Sequence, residues 1–116
     1  MFIRYITIVT SALLVFSAIV IADERDFARA QVEFGIEVAE KGLWGEAIYR
    51  WERAVSIDQD YAEAWNNLGI AYELEGRFNE ARDAYEKAMD LDPGNFMIQQ
   101  NYDLFREIND RINEID

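Results

Sequence analysis

The chain of 116 residues contains no cysteine and no histidine. The first absence rules out disulfides, thiolate metal sites and a thiol nucleophile, and it leaves the redox compartment open. The second removes the commonest general base, the usual zinc ligand and the physiological pH switch together. There is one proline, Pro93, and no Asn-Gly or Asp-Gly hairpin turn between alternating segments. Ala, Glu, Leu and Arg, which favour helix, are abundant, so an all-α fold is expected, and the length suits one small domain.

Positive charge is also scarce. Eleven Lys and Arg stand against 23 Asp and Glu, for a formal charge of −12. All the acids lie from Asp23 onward and Arg4 lies before it, so the remainder carries ten cations against 23 acids, or −13. Such a surface repels nucleic-acid phosphates and anionic lipid head groups, and no nucleic-acid partner is expected.

What the chain does have begins with a hydrophobic run. Residues 1–22, MFIRYITIVTSALLVFSAIVIA, are uncharged from Tyr5 to Ala22. As a helix those 18 residues would span about 27 Å, near the ~30 Å of a bilayer core. A cleaved secretory signal, with Arg4 as its basic start and Val20-Ile21-Ala22 as its cleavage site, is one reading. A retained signal anchor is favoured, because the apolar core exceeds the roughly 7–15 residues of a signal peptide. Arg4 inside and Asp23 to Asp26 outside would place the remainder on the extracytoplasmic side of a cytoplasmic (inner) membrane, or in the periplasm if the signal is cleaved. Residues 23–27 are expected to be an acidic linker.

Further on, Ala64 to Tyr72 reads AWNNLGIAY, where Trp65, Leu68, Gly69 and Tyr72 fall on one side of a helix. A second apolar run uses Phe78, Ala81, Ala84, Tyr85, Ala88 and Leu91, with Gly76 between the two. Asp92-Pro93-Gly94-Asn95 stops that helix: Pro93 cannot continue it, and Gly94 or Asn95 tolerates a left-handed turn. Two antiparallel helices with a short connection follow.

The spacing W-x2-L-G-x2-Y, then A-x3-F, then P is met by Trp65, Leu68, Gly69, Tyr72, Ala81, Tyr85 for Phe, and Pro93. The segment 62–95 thus resembles a tetratricopeptide repeat. Shifted back by 34 residues, Phe34, Gly35, Gly42, Trp44, Ala47, Trp51, Ala54 and Ile57 align with Leu68, Gly69, Gly76, Phe78, Ala81, Tyr85, Ala88 and Leu91. Residues 28–61 are therefore a first, more degenerate repeat, with Gln31, Val38 and Gln59 in place of the family's Trp, Tyr and Pro. Residues 96–116 resemble the capping helix that closes such an array, with Met97, Ile98, Tyr102, Phe105, Ile108, Ile112 and Ile115 as its apolar positions. Trp65, Leu68, Gly69 and Tyr72 are expected to pack between helices, as are Trp44, Trp51, Phe78 and Tyr85.

The resemblance implies a short helical solenoid whose first helices line a concave groove for a partner segment. On this chain the groove would present Arg29, Val32, Glu33 and Ile36; then Glu63, Asn66, Asn67, Ile70 and Glu73; then Met97, Gln100, Asn101 and Leu104. The carboxamides suit a peptide backbone, since each both donates and accepts. Family members that clamp a C-terminal carboxylate use Lys and Arg at sites held here by Val32, Ile36, Met97 and Asn101, so that specialisation is disfavoured. An apolar floor with acidic margins suits an extended or amphipathic segment carrying Lys or Arg. No catalytic residues, cofactor or metal site are expected, because no phosphate loop, nucleophile motif or ligand set accompanies the acids. The expected function is a membrane-anchored adaptor, assembly factor or accessory subunit of a membrane complex. Self-association into a dimer or polymer, or a secreted soluble binding module, is the alternative.

Overall fold

The computed structural model describes residues 23–115, and among them it shows five helices and no strand. These are α1 (residues 23–40), α2 (Trp44–Ile57), α3 (Ala62–Leu74), α4 (Phe78–Leu91) and α5 (Phe96–Ile115). The expected anchor or signal, residues 1–22, lies outside the described residues. None of the described helices is long and apolar enough to cross a membrane. Residues 23–27, expected as a linker, are helical and belong to α1. Charge alone does not interrupt a helix, and this stretch contains neither glycine nor proline.

Each first helix ends in the same way. Gly42 (φ +78°) and Gly76 (φ +72°) are the described residues with left-handed backbone. The amide of Leu43 donates to Val38 O and that of Gly42 to Ala39 O, at 3.0 and 2.8 Å. Thirty-four residues on, Arg77 N donates to Tyr72 O and Gly76 N to Glu73 O, at 2.8 and 3.0 Å. Both are Schellman motifs, which satisfy the last carbonyls and turn the chain back. In the second, the Arg77 guanidinium covers the Tyr72 ring at 4.5 Å, a contact that closes the turn.

The junctions between units are different in kind. Gly94 and Asn95 do not take the left-handed backbone anticipated for them. Asn95 N instead donates to Asp92 O at 3.1 Å, and Asn95 Oδ1 accepts from the amides of Met97 and Ile98 at 3.1 and 3.2 Å. The asparagine is thus the N-cap of α5, and its side chain takes up two of the amides that a helix start leaves unpaired.

The core runs through the seams between helices. α3 packs most extensively on α4, α2 on α3, and α5 covers α4 with a smaller contact to α3. Glycine sets the closest approaches: a Cβ added to Gly69 would lie 2.7 Å from Tyr85 Cδ1, and one on Gly35 would lie 2.8 Å from Trp51 Cδ1. Both are shorter than contacting carbons allow, so the aromatic ring occupies the space that a side chain would need. The polar ends of these rings are also satisfied, with Trp51 Nε1 donating to Val32 O at 3.1 Å and Tyr85 Oη donating to Glu73 at 3.0 Å.

Several apolar positions lie further out than the helical spacing suggested. Phe34 and Phe78 are 42% and 40% exposed, whereas Leu68, aligned with Phe34, is 1% exposed. On α5, Ile98, Phe105 and Asn109 are buried, but Ile108, Ile112 and Ile115 stay exposed. Its 20 residues outreach the 13 of α3 and 14 of α4, so the last turns have no described helix to cover.

Candidate interaction groove

The first helices α1, α3 and α5 bring many of the anticipated groove residues together, in three adjoining hollows. Between α1, α2 and α3, a cavity of about 350 Å³ is lined by Ile36, Ala39, Glu40, Trp44, Asn67 and Ile70, with Trp51 behind. Between α3 and α5, a second of about 230 Å³ is lined by Ile70, Glu73, Leu74, Tyr85, Asn101 and Leu104. The two share Ile70, so the apolar floor is continuous from α1 to α5. A third, about 420 Å³, lies at the other end of α3 and α5 among Glu63, Asn66, Asn67, Asp92, Asn95 and Met97.

Val32 is a correction. It was expected on the groove floor, but its side chain is 1% exposed and belongs to the core cluster. Asn66 occupies the same register 34 residues on and reaches across to α5, where its Oδ1 accepts from Asn101 Nδ2 at 3.1 Å. The position lies at the seam between consecutive first helices, and an apolar residue placed there is engulfed. Arg29, Glu33 and Gln100 are exposed and line none of these three hollows.

The polar groups of the groove are partly committed. Asn66 and Asn101 satisfy one another in part. Glu73 accepts the Tyr85 hydroxyl, and burial followed by the Glu73 charge pushes that hydroxyl's pKa well above the ordinary tyrosine value. The same pattern holds Tyr72, buried and donating to Glu52 at 2.7 Å, far above its ordinary range. These tyrosines therefore stay protonated at neutral pH and donate to the two carboxylates. Among the described residues, no three Asp or Glu gather to hold a metal ion.

Trp44, Leu74, Ala39 and Glu40 were not anticipated as groove residues. Trp44 read as core because an aromatic at helical spacing usually is. Leu74 ends α3, where a pattern centred on Trp65 to Tyr72 stops, although its place one turn after Ile70 was a usable signal.

Comparisons with known proteins agree with this geometry. Residues 62–95 match a family model described as "Tetratricopeptide repeat", and residues 37–76 match one described as "TPR repeat". No curated protein sequence matches the chain. Among solved structures, MamA is 28% identical with a TM-score of 0.68, over 73% of this chain and 50% of its own. This chain therefore spans about half the length of MamA. The Arabidopsis OM64 TPR domain is 21% identical with a TM-score of 0.71, over 78% of this chain and 75% of its own. The second TPR domain of human RPAP3, solved in complex with the HSP70 peptide SGPTIEEVD, is 23% identical with a TM-score of 0.64, over 68% of this chain and 66% of its own. At these identities the last two are likenesses of fold.

Proposed function

We propose, from the premise that residues 37–95 carry tetratricopeptide repeats, that this chain is a protein-interaction module held at a membrane by residues 5–22. Its repeats stand on the extracytoplasmic side and serve as adaptor, assembly factor or accessory subunit of a membrane complex. The observation that carries the interaction reading is the continuous apolar floor Ile36–Ile70–Leu104, bordered by Glu40 and Glu73. The partner is an extended or amphipathic protein segment with Lys or Arg flanking its apolar residues, as charge complementarity to an acidic groove favours. Ile36, Met97 and Asn101 supply no cationic clamp, so a free C-terminal carboxylate is not the feature bound. The uncharged run that ends at Ala22, one residue before α1, supports the anchor. Anchoring would also raise the local concentration of a membrane partner, which offsets the shallowness of a two-repeat groove.

The test is intact mass spectrometry of the full chain purified gently from its native membranes, with stoichiometric companions identified in the same sample. A mass beginning at Met1 with a bound partner is expected; a mass beginning at Asp23 with no companion would overturn the anchored-subunit reading. The double substitution Asn67→Ala with Ile70→Glu should release the partner while circular dichroism stays unchanged. Retention of the partner by that variant would exclude the groove.

A further inference from the structure

Five of the exposed apolar residues share one edge of the molecule. Leu74 at the end of α3 is 59% exposed, and on α5 Leu104, Ile108, Ile112 and Ile115 are 56, 45, 44 and 84% exposed. The four α5 residues are spaced four, four and three apart, which makes one stripe on one side of the helix. Leu74 and Leu104 line the same hollow, and Ile70 connects that hollow to the cavity beside Trp44. The groove floor therefore does not end where α3 ends. It runs out along the overhanging turns of α5 as a ledge, and from residue 106 to 115 Asn109 alone is buried.

Two features limit what fits there. In the middle of the groove the Asn66–Asn101 bond ties up carboxamide groups that an extended backbone would use, while the ledge itself offers methyl groups and few free polar partners. A straight apolar stripe about 17 Å long, the rise of 11 residues of helix, is matched by the stripe of a second helix rather than by the alternating side chains of a strand. The ledge is bordered by Glu73, Glu107 and Glu114, with Arg111 paired to Glu107, on a chain whose residues 23–116 carry −13. A second copy would bring the same acids against them, which disfavours self-docking.

We infer that the ledge formed by Leu74 and the α5 stripe Leu104–Ile108–Ile112–Ile115 is the docking site of an amphipathic helix from another protein, apolar on one side and flanked by Lys or Arg. This rests on the interaction reading above and names its partner's form. The helix lies along α5, with its far end over Ile70 and Trp44, and its cations face the acidic margins.

The probe is a pair of labelled synthetic peptides of about 18 residues, five turns of helix, with identical Leu and Lys content. One has leucines at helical spacing and the other alternates them at strand spacing. Fluorescence anisotropy with the full chain in nanodiscs is expected to show the helical-period peptide binding at least about tenfold tighter, a difference of ~1.4 kcal/mol, and gaining helicity when bound. Equal binding of the alternating peptide would overturn the proposal, because the surface would then read charge or an extended chain. Ile108→Asp separates the causes further. It removes apolar surface and adds a negative charge, so a contact on the ledge weakens about tenfold while a purely electrostatic one strengthens, and strengthening would also overturn the proposal. Concentration-dependent growth in mass of the chain alone, abolished by Ile108→Asp, would assign the ledge to a second copy instead. Applied to the co-purified native partner, Ile108→Asp should release it. Retention there, with loss on Asn67→Ala plus Ile70→Glu, would sink the ledge and leave the groove reading intact.

Discussion

Repeat 1 and repeat 2 share a backbone plan but differ at the face that a preceding repeat would cover. In repeat 2 that face holds Ala64, Leu68 and Ala84, which are 0, 1 and 2% exposed. The aligned residues of repeat 1 are Ala30, Phe34 and Arg50, and Phe34 remains 42% exposed. The Arg50 guanidinium lies 4.5 Å over the Phe34 ring and 5.4 Å from Tyr49, while Glu46 pairs with it at 2.7 Å. Where repeat 2 has a small alanine that admits a neighbouring helix, repeat 1 has a long cation that covers its own aromatics. An end unit is thus made from an internal one by changing who satisfies the apolar surface, with the turns left as they are.

The largest effect that tests this shared plan is expected at the glycine–aromatic contacts. Gly69→Leu places carbon where the Tyr85 ring stands, and that ring is held by Tyr102 and Phe105 at centroid distances of 6.1 and 5.4 Å. A loss of about 3 kcal/mol in urea unfolding is expected, at the upper end for overpacking. Gly35→Leu should cost less, near 1–2 kcal/mol by the same scale, because Trp51 borders the larger hollow, about 350 Å³ against the 230 Å³ beside Tyr85, and can yield further into it. Equal losses would mean that the two contacts are equally rigid, and the distinction between end and internal unit would not extend to the core.

How much of this was legible in the sequence follows from the same contrast. The 34-residue register, the two glycine turns and the glycines beneath Trp51 and Tyr85 depend on local backbone demands that only certain residues meet, so the pattern shows them. Phe34 and Val32 depend on which helix lies next door, and spacing along one helix carries no such information. Val32 was expected in the groove and lies in the core; Phe34 aligns with Leu68, a core residue, and lies outside. The closing helix was readable as amphipathic, but its apolar stripe was assumed to be covered. The coverage depends on the length of α5 relative to α3 and α4, a comparison between elements that no single stretch contains.

An intermediate effect separates the repeats by pH. Tyr85 and Tyr72, both in repeat 2, have their hydroxyl pKa values raised by burial and by bonds to Glu73 and Glu52. In repeat 1 the ring aligned with Tyr85 is Trp51, which does not titrate, although Tyr61 at the end of that repeat is also shifted upward, first by burial. An acid whose folded pKa is raised holds its proton more tightly when folded, so its contribution is fully present below the unfolded value near pH 10 and is lost as pH rises above it. Stability should be flat in this respect between pH 7 and 9, then fall by up to about 1.4 kcal/mol per pH unit per tyrosine. Tyr85→Phe should lower neutral-pH stability by about 1 kcal/mol, the worth of one hydrogen bond, and should make the alkaline fall shallower. An unchanged alkaline slope in the Tyr72→Phe, Tyr85→Phe double variant would show that the fall arises elsewhere.

The smallest expected effect on stability carries the sharpest test of the end unit. Arg50→Ala restores the residue that repeat 2 uses at this position, removing an ion pair with Glu46 and the cover over Phe34. Partly exposed ion pairs contribute little, so unfolding should shift by no more than about 1 kcal/mol. The surface, however, now resembles the internal face of a repeat, with Phe34 and Tyr49 uncovered and a small residue between the helices. Sedimentation should then show stronger concentration-dependent association than the native chain shows, since an uncovered apolar end is what a further unit would pack on. If Arg50→Ala associates no more than the native chain, Arg50 is not the group that ends the stack. The termination would then lie in Phe34 itself, whose ring is too large for the space that Leu68 fills, and Phe34→Leu combined with Arg50→Ala would be the variant that associates.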